Sequence, residues 1–516
     1  MKAFYKIIVY DYLQRTRSYA FLITLAVALY AAYAFIPAPG AHYTTLRIGN
    51  YLGAQNAAWI GCVTAMMTSV FLSLIGPFLV NSAIKKDADT GVGMITAATS
   101  VSNFNYLLTK TLSSFLVLLS ITGFVFLMSL ALFFFRSGGY AFEPAQFILP
   151  YLIVTLPTLF FIAALSVTAE VFLYRYTILM NIGFFFLFCA LSSQQTIIPA
   201  ALDIFGVKPV TTAMQQAVAG SYHVVNRDVS MGFIFSSKKD FNSFVFQGVH
   251  WTIPVILGRL LWMCFGLLLV FISSKFFHRF DIQQRFKAKK KTKLTTVMSQ
   301  TVQLRDIRLS ELPPVTPSYG ILPFIRTELL MLFRKGPRWL WLINIGGMIA
   351  LAFSPLTVAH QIVLPVLWFL QVGRWSDLGT KEKTHRIHYF TFASYKPLTR
   401  LLPAQIIAGI TIAIVLASPL LIRYLLSMQF AVVLNIIMGG IFIVLLAVAL
   451  GILSGGKKLF EILFFLFTYS NINRVPFTDY FGGENHGLNY SALIDMLIGF
   501  LGVMSFVLRK FEIRRL

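Results

Sequence analysis

Twelve apolar runs follow one another along the chain, most of them close to the length of a membrane crossing. A helix needs about twenty residues to span the hydrocarbon of a bilayer. The first six runs cover roughly 20–37, 58–80, 112–135, 147–173, 178–191 and 260–277. The second six cover roughly 339–355, 358–372, 404–422, 431–453, 459–469 and 491–508. The eighth and eleventh are short, and each reads as a tilted partial span or a re-entrant segment. Composition agrees with the runs. The chain is 57% hydrophobic and 12% charged, where a soluble domain carries about 25% charged residues. That excludes a soluble enzyme, a disordered chain and a disulfide-stapled secreted domain. The fold class to expect is an all-α polytopic membrane protein of about 12 transmembrane helices.

The net charge of +24 comes from 43 Lys and Arg against 19 Asp and Glu. A soluble protein this basic would invite a nucleic-acid partner. With the N-terminus in the cytoplasm and twelve crossings, 34 of the 43 basic residues fall on cytoplasmic segments and 8 on outer ones. Cytoplasmic loops collect Lys and Arg in this way, so no nucleic-acid partner is needed. The expected location is the cell membrane, with both termini cytoplasmic. Nineteen residues precede the first run, more than a signal peptide's basic segment usually holds, so the run reads as a retained span. Cys62, Cys189 and Cys264 all lie in apolar runs and form neither a disulfide framework nor a zinc spacing.

A polar stretch at 274–320, with Lys289-Lys290-Lys291 and Pro313-Pro314 inside it, divides the runs six and six. It reads as a solvated cytoplasmic tether near anionic headgroups. The expected domains are 1–273, the linker 274–320 and 321–516.

The two halves share an order of parts. Each opens with an amphipathic stretch of mixed charge, Phe4 to Arg15 and Phe324 to Lys335, suited to lie in the membrane interface. After the second run of each half comes a long loop. The first contains Asp87, Asp89 and Gly91, then Ala98-Thr99-Ser100, with Leu107-Leu108 seven residues beyond Ser100 and Lys110 close behind. The second contains Asp377, Gly379 and Glu382, then Phe392-Ala393-Ser394, with Leu401-Leu402 seven residues beyond Ser394. Loops this long between spans are uncommon unless they do a job. The fifth run of each half carries the same tetrapeptide, Phe185-Phe186-Leu187-Phe188 and Phe464-Phe465-Leu466-Phe467.

At these residues the chain resembles the permease subunit of type-2 ABC transporters. That resemblance implies two permease domains fused in tandem, as two six-helix repeats with interfacial connecting helices and cytoplasmic coupling helices. It implies a coupling role toward the ATPase for Asp87, Asp89, Gly91, Ala98, Ser100, Leu107, Leu108 and Lys110. In the second half the same role falls to Asp377, Glu382, Ser394, Leu401 and Leu402. There the glycine is displaced and Ala404-Gln405 stands in place of the lysine. In an exporter of this kind Phe185, Phe186, Phe188, Phe464, Phe465 and Phe467 would line or flank the pathway. The family's long outer segment between the fifth and sixth spans, often folded into re-entrant helices, would be 192–258 in the first half. The second half has only 470–490.

The chain holds no chemistry for using ATP itself. The nearest approach to a phosphate-binding loop, Gly451 to Lys458, lacks the hydroxyl for magnesium and ends an apolar helix instead of following a strand. ATP and Mg therefore belong to separate cytoplasmic ATPase subunits, expected as two. The chain itself carries no cofactor, metal or catalytic residue in this reading. His385 and His388 lack a third ligand. Glu170 reads as snorkelling or as paired with Arg175, and Glu461 as paired with Lys457 or Lys458. Arg259 must be paired or near the interface. The cargo, whether small molecule, peptide or lipid, is left open, and the bilayer is the other partner. The alternative function is a proton-coupled secondary transporter of the major facilitator kind. It predicts short loops and buried carboxylates, which fit less well. A membrane-embedded transferase would need an acid/base pair that the sequence does not offer.

Overall fold

The computed structural model describes residues 2–38, 41–81, 83–93, 98–173, 177–193, 199–223, 228–235, 241–277, 320–336, 339–472, 478–483 and 488–515. Arg175, His486 and nearly all of the 274–320 linker lie outside the described residues, as does the side chain of Asp89.

The chain is mostly helical. In the first half α1 (Lys2–Thr16) meets α2 (Tyr19–Phe35) at a bend of 73°. Ser18 makes that corner, its hydroxyl accepting from the Phe21 amide at 3.3 Å as an N-cap. Then come α3 (Ala57–Val80), α4 (Ala83–Thr90), α5 (Asn103–Arg136), α6 (Pro144–Leu173), α7 (Thr177–Ser193), α8 (Val207–Tyr222) and α9 (Ile253–Phe276). The second half has α10 (Leu322–Arg334), α11 (Trp339–Phe353), α12 (Leu356–Phe369), α13 (Pro397–Leu426), α14 (Phe430–Ser454), α15 (Lys458–Ile472) and α16 (Leu488–Arg514). Single π turns interrupt α6 at Tyr151–Thr155 and α12 at Ala359–Val363.

Each apolar run falls largely on helix, but the helices are unequal. Among the described residues seven are long and apolar enough to cross a membrane: α3, α5, α6, α9, α13, α14 and α16. The bent α1–α2 pair makes an eighth if counted as one span. α7, α11 and α12 are apolar but shorter, and α15 has 15 residues.

α3 is buried along almost its whole length. It tolerates Thr64, Thr68 and Ser73 because each hydroxyl donates to the carbonyl four residues back, at 2.6–2.7 Å. Such bonding leaves no unsatisfied donor in an apolar interior. The largest core cluster surrounds α3 and takes in Leu340, Phe369, Ile462 and Phe465 from the second half. A second core is built from 332–501 alone.

The segments after α2 and after α8 add strands that the hydropathy pattern does not announce. β1 (Tyr43–Ile48), β2 (Tyr51–Gly53), β3 (Val229–Phe235) and β4 (Asn242–Phe244) form one sheet in the order β3-β1-β2-β4. β1 pairs antiparallel with β3, Ile48 opposite Val229. Among the described residues of the expected re-entrant segment 192–258, helix between α7 and α9 is limited to a short 3₁₀ turn at Ala200–Leu202 and α8, and β3 and β4 are strands.

Candidate functional site

The face of the molecule that carries the loop after α3 also carries the loop after α12. Both are held from inside by charge. In the first half, α1 places Asp11 and Arg15 four residues apart, on one helical face, at 2.9 Å. Lys110 of α5 reaches between two elements, 2.9 Å from Asp11 and 2.8 Å from Asp87 of α4. The Tyr106 hydroxyl donates to Asp87 at 2.7 Å, and Ser113 donates to Asp11. Arg15 also donates to the Val80 carbonyl at 2.9 Å, at the end of α3. One lysine therefore neutralises carboxylates from α1 and α4 and locks both to α5. Removing it would leave Asp11 to Arg15 and would leave the buried Asp87 carboxylate with the Tyr106 hydroxyl but without this cation, at a cost of about 3 kcal/mol.

Glu170 completes this base in a way the sequence reading misses. Its expected partner Arg175 lies outside the described residues. Its carboxylate accepts from the backbone amides of Ala83 and Lys85, at 3.0 and 2.9 Å. Those amides open α4, where helix N–H groups lack internal partners and the helix dipole favours an anion. Gly91 ends the same helix at φ +78, a left-handed cap position that glycine occupies without strain.

The second half builds the equivalent base from different residues. Glu328 of α10 pairs with Lys381, and Asp377 pairs with Lys335 and Lys457. Gln405 donates to Glu382, and Arg509 of α16 lies 3.9 Å from the same carboxylate. Gln405 thus supplies from α13 the polar contact that Lys110 supplies from α5. Gly379 is displaced because it serves a different need. A Cβ there would sit 2.7 Å from the Val448 carbonyl of α14, so the loop can approach that helix only through glycine. Arg374, also buried, donates to the Leu332 carbonyl at 3.1 Å and lies over the Trp341 ring at 4.4 Å.

The charges respond to these surroundings. Burial disfavours the Asp377 carboxylate, but Lys335 and then Lys457 outweigh it and hold the group below its ordinary value. Burial pushes the Lys335 ammonium down to about 8, with Asp377 resisting. Burial raises Glu328, and Lys381 resists. It pulls Arg374 down to about 10. A cavity of about 510 Å³ lies between α10 and the loop, lined by Phe324, Met331, Leu378, Ile387, Leu401 and Glu328 among others.

The candidate coupling residues therefore divide. Asp87, Leu107, Lys110, Asp377, Glu382, Leu401 and Leu402 are buried and hold the loops to their own half. Gly91 and Leu108 are half-buried. Ala98, Ser100 and Ser394 are exposed, and beside Ser394 so are Tyr389 at 65%, Phe390 at 83% and Tyr395 at 55%.

The phenylalanine tetrapeptides divide as well. Phe185 and Phe465 are buried and meet at 5.8 Å between ring centres. Phe188 is buried against Phe205 and Tyr469. Phe464 packs on Phe460 and Trp375, and Phe467 on Phe442 and Tyr480, all within the second half. Phe186 is 45% exposed. Two partners that the sequence reading did not single out, Phe78 and Phe369, complete the contact between halves.

Glu461 hydrogen-bonds Asn181 at 3.1 Å; Lys457 goes to Asp377, and Lys458 donates to the carbonyls of Leu79 and Asn81. Arg259 is buried and satisfied without a carboxylate. It donates to the carbonyls of Ile153, Val154, Asp203 and Ile204 and to the Thr158 hydroxyl. Asp495 is exposed. No family model matches the chain, and no curated protein or solved structure is detectably similar to it.

Proposed function

We propose that this chain is the membrane-spanning permease subunit of an ATP-driven ABC exporter. Its twelve runs act as two six-span permease domains, 1–273 and 321–516, joined by the linker 274–320. Four of the crossings, α7, α11, α12 and α15, are short. The loop-bearing face is cytoplasmic, as are both termini, and the protein sits in the cell membrane. Two separate ATPase subunits bind ATP and Mg and close on the loops, rocking the halves to move a small-molecule, peptide or lipid cargo by alternating access.

The observation that carries this reading is the bracing of both loops. A loop that transmits force must be rigidly tied to the helices it moves and must leave a part free for the motor. Asp87–Lys110–Asp11 ties the first loop to α5 and α1. Glu328–Lys381 and Glu382–Gln405 tie the second to α10 and α13. Ala98 and Ser100, and Tyr389, Phe390 and Ser394, remain outside.

The test is purification of the tagged chain from its native membrane, followed by assay of the eluate for ATP hydrolysis. A P-loop ATPase is expected to co-purify in stoichiometric amount. The double variant Ser100→Arg and Ser394→Arg, altered only at exposed positions, should lose it and still elute as a monodisperse particle. A wild-type preparation free of any ATPase would end the proposal.

A further inference from the structure

The two halves meet along a seam of two layers. In the first, Phe78 of α3 stacks on Phe465 of α15 at 3.8 Å, and Phe185 of α7 lies 4.5 Å from Phe369 of α12. Each contact joins one half to the other. All four rings are buried. Lipid tails are as apolar as these rings, so ring packing alone gives the halves limited reason to prefer each other.

The second layer supplies the preference. Four residues before Phe185 is Asn181, and four before Phe465 is Glu461, so each lies a helical turn from its ring on the same face. Asn181 donates to Glu461 at 3.1 Å and accepts from Asn81 at 2.7 Å. Lys458, at the start of α15, crosses to the end of α3 and donates to the carbonyls of Leu79 at 3.1 Å and Asn81 at 2.8 Å. The last carbonyls of a helix lack internal partners and carry partial negative charge, so an ammonium there satisfies both needs. Seven residues before Phe465 is Lys458, but seven before Phe185 is Ile178. The cation thus comes from one side.

These groups are costly to bury unless bonded. Their bonds reach from one half to the other, more than 370 residues apart in sequence for Lys458. They are satisfied when the halves are together and, once parted, by water. Two such arrangements with little between them make a switch rather than a graded contact.

We propose that Lys458, Glu461, Asn181 and Asn81 form a latch that holds the two halves closed beneath the phenylalanine seal. Release of Lys458 from the α3 carbonyls is the event that lets them part. The latch requires no ATPase partner, and its test is independent of one.

The test is a distance measurement by electron spin resonance on the full chain in nanodiscs, with the native cysteines replaced. Spin labels go on Asn105 and Thr399, exposed residues in the first turns of α5 and α13, one in each half. The unaltered latch should give one narrow distance distribution. Lys458→Met, which keeps the stem and removes the donor, should add a longer population. Lys458→Arg should restore the narrow one. Asn181→Asp sets a carboxylate against Glu461 with Lys458 intact and should open the seam by a second route. It serves if the Met variant does not stay monodisperse. A monodisperse Lys458→Met or Asn181→Asp protein with an unchanged distribution overturns the latch. So does a lowered melting temperature with no change in distance, because that marks ordinary packing.

Discussion

At the Lys335 ammonium three influences compete. Burial discourages the charge, Asp377 favours it and Lys457 repels it, and the group settles at about 8 instead of 10.5. Between those two values the unfolded chain binds more protons than the folded one. This group therefore makes the fold more stable as pH rises through that window. Asp377 acts at the other end. Its folded value lies below 3.8, so its contribution is present above that pH and is lost as pH falls through the folded value. Acylation of Lys335 in the folded protein should accordingly show a midpoint near 8. Lys457→Met should move the midpoint up and Asp377→Asn should move it down. A midpoint near 10.5 would mean the ammonium faces water. The sequence marks Asp87, Lys110 and Glu382 as unusual through their spacing. It does not say which way they face, because a carboxylate waiting for a partner protein and one already paired inside the chain have the same spelling. The hint was in the opening amphipathic stretches, where Asp11 and Glu328 sit among apolar residues that a purely interfacial helix would not need to interrupt.

At the scale of elements, hydropathy finds helices and misses their lengths. α11 stops at Phe353 because Ser354-Pro355 follows, and the residue before a proline is driven out of helical conformation. The sheet is invisible for another reason. β1 is six residues long and its partner β3 lies more than 180 positions away, so no local period announces the pairing. The π turn in α6 is equally silent, yet it defines what Arg259 does. The guanidinium fork gathers the carbonyls of Ile153 and Val154 within that turn together with those of Asp203 and Ile204, tying the 199–206 segment to the helix. Lysine offers a single ammonium with three donors where arginine offers five in a planar fork. Arg259→Lys should therefore leave buried carbonyls without donors and lower stability by about 3 kcal/mol. The loss would be read as a fall in melting temperature together with faster proteolysis of the 199–206 segment. An unchanged protein would mean that those carbonyls find other donors.

Over the whole molecule, the meeting of the halves turns on which phenylalanines face inward. The repeated tetrapeptide aligns Phe186 with Phe465 by position, but the structure gives the corresponding place at the seam to Phe185. A shift of one residue rotates a helix face by about 100°, enough to send Phe186 outward at 45% exposure while Phe465 is fully buried. The motif therefore names the right helices, and only packing decides the register. The two residues should respond very differently to the same truncation. Phe465 touches Phe78, Phe185 and Phe369, so Phe465→Ala opens a cavity between halves and should cost about 3–5 kcal/mol. Phe186→Ala should change stability by no more than about 0.5 kcal/mol. In liposomes loaded with a small fluorescent dye, the Phe465 variant should leak and the Phe186 variant should retain the dye as the unaltered protein does. Equal melting temperatures for the two variants, or leakage from Phe186→Ala alone, would place the seal on a different helix face from the one where Phe465 lies.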